Sequence, residues 1–118
     1  MKDRWIVAAG VAGFAGVGLG AASTHLAGGG SPTLLDTAYR FLLFHAPALG
    51  LVGVLERLQP SRTLVLAGLL LTAGLLCFAG GLTLLALTDS PLGQWSTPAG
   101  GTLLLAGWLT LAWYGLRG

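Results

Sequence analysis

Charged side chains divide the chain into four long uncharged runs: Trp5–Leu35, Phe41–Leu55, Thr63–Thr88 and Ser90–Leu116. A helix needs roughly 20 mainly apolar residues to cross a ~30 Å hydrocarbon core, and three of the runs exceed that. The second run, roughly 15 residues or ~22 Å at helical rise, spans if Arg40, Glu56 and Arg57 sit at headgroup depth and the two arginines snorkel. Backbone polar groups in lipid are satisfied only in helices or closed barrels. The runs lack the period-two alternation of barrel strands. The pattern therefore predicts an all-α membrane protein, four transmembrane helices in a compact bundle, at about 5–26, 32–58, 63–88 and 97–116. The second begins as an interfacial turn and enters the membrane near Phe41.

The connections carry matching signals. Gly28-Gly29-Gly30 breaks the first helix, Ser31 reads as an N-cap and Pro32 as the first residue of the second. Asp36 and Arg40 are four apart with the acid first, the favourable order on a helix face. Pro47 removes one backbone hydrogen bond and should kink the helix just past His45. Gln59-Pro60-Ser61 forms a tight turn with Ser61 as cap, and residues 89 to 98 form the last loop, with Asp89 in solvent.

Composition strengthens the solvent assignment. The chain has 118 residues, 54% hydrophobic and only 8% charged, against about 25% charged in soluble domains. Its length suits one domain. Six basic residues are too few for a phosphate-tracking surface, so no nucleic-acid partner is expected. The single Cys77, inside an apolar run, excludes a disulfide framework and reads as inert. Lys2 and Arg4 before an apolar stretch ending Gly20-Ala21-Ala22-Ser23 also resemble a secretory signal peptide. The remaining chain is equally apolar, so the segment is read as a retained helix. With four spans, Lys2, Arg4, Arg57, Arg62 and Arg117 share one side and Arg40 lies on the other. The positive-inside rule then places both termini in the cytoplasm of a multi-pass inner (plasma) membrane protein. Trp5, Trp113 and Tyr114 would mark the inner interface, Tyr39 and Trp95 the outer.

Two side-chain patterns suggest roles. Ala8, Ala12, Gly16, Gly20 and Thr24 recur every four residues along helix one, Ala73, Cys77 and Gly81 along helix three, and Gly107 lies in helix four. Small residues let helix backbones approach closely in lipid, so these faces pack the helices or, where surplus, join copies in a homo-oligomer. The polar residues are lopsided. His25, His45, Thr24 and Thr97 fall in the outer half, where His25 and His45 could meet near Arg40.

An ionisable group at that depth is a functional hypothesis. The histidines could brace helix one to helix two, carry protons as part of a small transporter, or ligate haem or a metal as a redox subunit. Zinc would need further ligands, so the cofactor stays unknown, with none the leading reading. His45 follows Phe44 directly and Phe41 by four, so packing against aromatics is also open. The expected environment is membrane lipid. No Ser-His-Asp set, P-loop or paired carboxylate is present, so the chain does not read as an enzyme.

Four stretches in order resemble one family. They are Gly20-Ala21-Ala22-Ser23-Thr24-His25-Leu26, Thr37-Ala38-Tyr39-Arg40-Phe41 through His45-Ala46-Pro47-Ala48-Leu49, Phe78-Ala79-Gly80-Gly81-Leu82 through Ala86-Leu87, and Thr97-Pro98-Ala99-Gly100-Gly101 through Gly107-Trp108. Together the chain resembles the small membrane proteins catalogued as domain of unknown function 423, which include bacterial inner-membrane proteins and a vertebrate relative. The resemblance implies a four-helix membrane protein with no established activity. Phe41-Leu42 stands where that family usually has Tyr-Gln, and Ala79, Gly81 and Thr83 replace serines and an aromatic. His25, Arg40 and His45 keep the motif chemistry.

Overall fold

A computed structural model describes residues 3–25, 32–88 and 90–117. These form four helices: α1 (Arg4–His25), α2 (Pro32–Leu58), α3 (Arg62–Leu87) and α4 (Pro91–Arg117). All four are long and apolar enough to cross a membrane. The Gly28-Gly29-Gly30 break, the Ser31 cap and Asp89 lie outside the described residues.

Short polar caps set the boundaries. Asp3 Oδ1 accepts the amides of Trp5 and Ile6, at 3.0 and 3.1 Å, satisfying two of the orphan donors of α1. Ser61 caps α3 by accepting the Thr63 amide at 3.1 Å, as the sequence predicts. The start of α4 differs from the expected residue 97. Ser90 Oγ accepts the Leu92 amide at 3.3 Å, and Pro91 takes the first helical position, where its missing N–H costs nothing. The stretch read as a loop is thus the first two turns of α4, and Pro98 lies inside the helix. In the same way α2 runs continuously through Pro47.

The main packing is between consecutive antiparallel helices, so α2 and α3 are central and α1 and α4 flank them. The start of α1 and the end of α4 therefore lie at one end of the bundle, here the terminal end, with the end of α1 and the start of α4 at the far end. The molecule measures 48 × 26 × 20 Å. Its core includes Ala38, Leu49, Val52, Leu71 and Leu75, with Ala12 contributed by α1 and Leu104 by α4.

Glycines decide how near the helices come. A Cβ on Gly16 would press on Leu43 at 2.9 Å, and one on Gly20 on the Tyr39 ring at 3.2 Å. With Ala12 buried and Ala8 half-buried, the four-residue stripe of α1 does face its neighbour. Between α3 and α4 the spacing is seven rather than four. Gly100 of α4 meets Gly74 of α3 and Gly93 meets Gly81, with the two backbones in direct contact, while Gly107 lies against Leu71 of α3. Ala73, from the expected stripe on α3, is exposed. Seven residues make almost two whole turns, so seven-spaced glycines stay on one seam between nearly antiparallel helices.

Candidate functional site

Most of the threonines expected to make the far half polar bond to their own helices. Thr24, Thr83, Thr97 and Thr102 donate to the carbonyls of Gly20, Ala79, Gly93 and Pro98, at 3.1, 2.8, 2.7 and 3.0 Å. This four-back pattern satisfies a hydroxyl without any interhelical partner. Thr97 sits against Gly81 in the α3–α4 seam.

His25 and His45 do not meet. Gly20 lies opposite Tyr39, Gly16 opposite Leu42 and Leu43, and Gly13 opposite Ala46. His45 is therefore level with about residue 13 of α1, and His25 is twelve residues further along, or about 18 Å at helical rise. His25 is exposed at the end of α1. Depth along a single helix does not fix which residues of two helices are level; the register between α1 and α2 does.

His45 is 3% exposed and finds its partners elsewhere. Its Nδ1 lies 2.8 Å from the Phe41 carbonyl, and its Nε2 lies 3.0 Å from Trp108 Nε1 of α4. A carbonyl only accepts and an indole N–H only donates. Nδ1 therefore carries the proton, donating to Phe41, while Nε2 accepts from Trp108. Both nitrogens of a neutral imidazole are thus used within the protein. Aromatic rings surround it: Phe41 stacks on the imidazole at 5.7 Å, Phe44 meets it edge-on at 5.7 Å, and Phe41 packs on Phe78 of α3 at 4.4 Å.

Beside this cluster, a cavity of about 690 Å³ opens between α2 and α4 over Phe78 of α3. Arg40 stands toward the far end and Trp108 deeper, with Pro98, Gly101, Thr102 and Leu105 along the α4 wall. Of the five residues read from the sequence as a polar site, the structure brings Arg40 and His45 to this cavity. His25, Thr24 and Thr97 are not among its lining residues. Arg40 Nε also lies 2.9 Å from Asp36 Oδ2, the expected four-residue ion pair. Among the described residues, no cluster of three or more His, Cys, Asp or Glu is placed to hold a metal.

With the far-end geometry in view, the relatives can be placed. A family model described as "Protein of unknown function (DUF423)" matches residues 19–101. The chain belongs to this family. A UPF0382 membrane protein of Haemophilus influenzae is 32% identical over 117 residues, covering 96% of this chain and 94% of the relative. UPF0382 membrane proteins of Staphylococcus haemolyticus and Staphylococcus aureus are 37% and 34% identical over 76 residues, 64% of this chain and 62% of each relative. No solved structure matches the chain. The residues matched by the family model include Arg40, His45 and Phe78 and end before Trp108.

The terminal end holds a polar cluster that composition alone did not reveal. Arg57 Nε donates to Asp3 Oδ2 at 2.9 Å, and Arg4 donates to Glu56 at 3.1 Å. Trp5 Nε1 donates to Glu56 Oε1 at 2.9 Å. Glu56 and Arg57, expected to face headgroups, thus tie the start of α1 to the end of α2. Trp5, expected at the interface, is 3% exposed, its ring seated over Gly68, where a Cβ would come within 2.7 Å. Its indole N–H can be buried because a carboxylate accepts it.

The Ile6 amide, with the Trp5 amide and Arg57, holds the Asp3 carboxyl below its ordinary value of 3.8 against an opposing effect of burial. The folded state therefore binds this proton less readily than the unfolded chain. The Asp3 contribution to stability is complete above pH 3.8 and declines as pH falls toward the folded-state value. Thermal unfolding in detergent should show the D3N variant losing less stability than the parent between pH 5 and pH 3. Parallel pH profiles would refute the role.

Proposed function

We propose that the protein is a structural, lipid-interacting bundle of the inner membrane with both termini in the cytoplasm. The observation that carries this reading is His45, whose two nitrogens hold Phe41 of α2 and Trp108 of α4. A proton relay or a haem ligand needs a ring nitrogen able to exchange partners. Here each exchange would break a bond that joins helices or holds the ring. Buried, fully satisfied polar groups specify packing.

A small carrier is the second reading, and one observation favours it: the cavity reaches His45 from the Arg40 end. Its lining supports the first reading better. Phenylalanine, leucine, proline and glycine dominate the wall, whereas a solute path through a membrane collects polar and ionisable groups. Self-association through spare small-residue faces is part of the proposal only as a capacity of α1. There Gly10 and Gly18 have no atom of another helix within 4 Å of a Cβ.

Thermal unfolding of H45L in detergent tests the brace: a lowered midpoint supports it, and an unchanged one removes it. The orientation rests on the five basic residues at the terminal end against Arg40 at the other. A C-terminal fluorescent-protein fusion should be bright and a C-terminal alkaline phosphatase fusion inactive. The opposite pair of results would invert the topology.

A further inference from the structure

An apolar groove that opens sideways on a membrane helix bundle is filled by something, and its shape and ends say by what. The α4 wall runs from Pro98 to Trp108, ten residues or about 15 Å at helical rise. That length matches half of a ~30 Å hydrocarbon core. One end carries Arg40, whose side chain is 69% exposed; the deep end is closed by His45 and Trp108, which satisfy each other. A volume of 690 Å³ lies in the range of small-molecule sites, which pair an apolar wall with a few polar anchors (about 300–1,000 Å³).

Arg40 is built to hold an anion at the mouth. Asp36 Oδ2 lies 2.9 Å from its Nε as an ion pair, on the side of the guanidinium away from the two terminal nitrogens. The two terminal amino groups have no other partner among the described residues. Guanidinium groups bind phosphate through paired N–H donors. The wall also has an opening where a side chain would fit. A Cβ on Gly101 would meet only the Phe78 ring, at 3.6 Å, an ordinary contact. Glycine at this position keeps the groove deep without being needed for helix packing, unlike Gly100 beside it.

We propose that this groove is a phospholipid site: one acyl chain lies between α2 and α4 over Phe78, ending at the His45–Trp108 pair, with the lipid phosphate on Arg40. The site deepens the reading of a lipid-interacting bundle. The two can fail separately, since the brace is tested by unfolding and the site by lipid occupancy.

The test uses Trp108 as the reporter in a W95F/W113F background, which removes two exposed indoles and leaves Trp5, buried at the terminal end, as a constant background. The protein in dodecyl maltoside micelles is titrated with phosphatidylcholine carrying brominated acyl chains, which quench indole on contact. Saturable quenching at about one lipid per protein is expected. G101L, which fills the groove, should abolish saturation while keeping the parent unfolding midpoint; T102F serves as a second blocking variant if G101L does not fold. R40Q should weaken binding about fivefold, the upper end for an exposed ion pair, and R40K should restore part of it. Diacylglycerol with the same brominated chains should bind the parent no better than phosphatidylcholine binds R40Q.

Quenching that rises in simple proportion to lipid content and is indifferent to G101L and T102F would overturn the site. Equal binding of diacylglycerol and phosphatidylcholine would overturn the phosphate assignment. A dimer in micelles that G101L disrupts, without saturable quenching, would make a second copy of the chain the occupant.

Discussion

Replacing Gly100 by alanine should weaken the protein more than the size of a methyl group suggests. A Cβ at this position would run into the Phe78 amide nitrogen and would lie 2.7 Å from the Gly74 carbonyl oxygen and 2.8 Å from the Cys77 carbonyl carbon. All three atoms belong to the α3 backbone, so no rotamer change can relieve the contact. The reverse view is the same: a Cβ on Gly74 would meet the Leu104 amide at 2.8 Å and the Gly100 carbonyl at 2.9 Å. To admit the methyl, α4 must move away as a unit. The seam contacts at Gly81, Gly93 and Gly107 would loosen with it, since a helix moves as a rod.

Overpacking of this kind costs about 1–3 kcal/mol and sometimes more. In lipid no hydrophobic force between helices compensates for lost contact. Two neighbouring substitutions isolate the cause. G101A faces the Phe78 ring at ordinary distance, and G80A has nothing within 4 Å. Each should be neutral, or stabilising by up to about 1 kcal/mol through helix propensity. Unfolding midpoints in detergent should therefore fall only for G100A. Equal midpoints for G100A and G80A would show that direct backbone contact does not hold α3 to α4.

The second large effect is expected at His45. H45L leaves the Trp108 indole N–H in an apolar site with no acceptor, and W108F leaves Nε2 of His45 with no donor. Leaving a buried polar group unsatisfied costs about 1–3 kcal/mol, and hydrocarbon offers no water to repair it. H45L/W108F removes both groups together, so its loss should be smaller than the sum of the two single losses. The coupling should be about 0.6 kcal/mol, the average for hydrogen bonds between membrane helices, and no more than about 1.7 kcal/mol. Additive losses, with no coupling, would mean that the pair is adjacent without being bonded in solution. The cycle also separates brace from carrier. A histidine kept to move protons would gain nothing from the removal of Trp108.

These two positions show how differently structural information was distributed along the chain. His45 stands out in the sequence as a rare ionisable group deep in an apolar run. Phe41, four residues earlier, is visibly placed to stack on it. Its decisive partner is 63 residues away on another helix, and no local pattern points from one to the other. Gly100 was legible as a small residue suited to packing. The seven-residue recurrence from Gly93 through Gly100 to Gly107 was present in the sequence, but four-residue stripes on the other helices were the more conspicuous period. The Asp3 cap was hidden for another reason. A single carboxylate between Lys2 and Arg4 reads as part of a charged end until the helix start places two amides over it.

The sequence by itself determined the solvent, the number of spans and their direction changes. Those follow from the one-dimensional distribution of charge and apolar length, because the cost of charge in hydrocarbon acts on each residue separately. The packing role of the α1 stripe was also local, since every fourth residue of a helix returns to one face. Tertiary structure alone decided which polar groups meet. Helix register moved His25 about 18 Å from the level of His45 and paired His45 with Trp108. Register is a property of two helices together, fixed by where glycines allow backbones to touch, and no single segment encodes it.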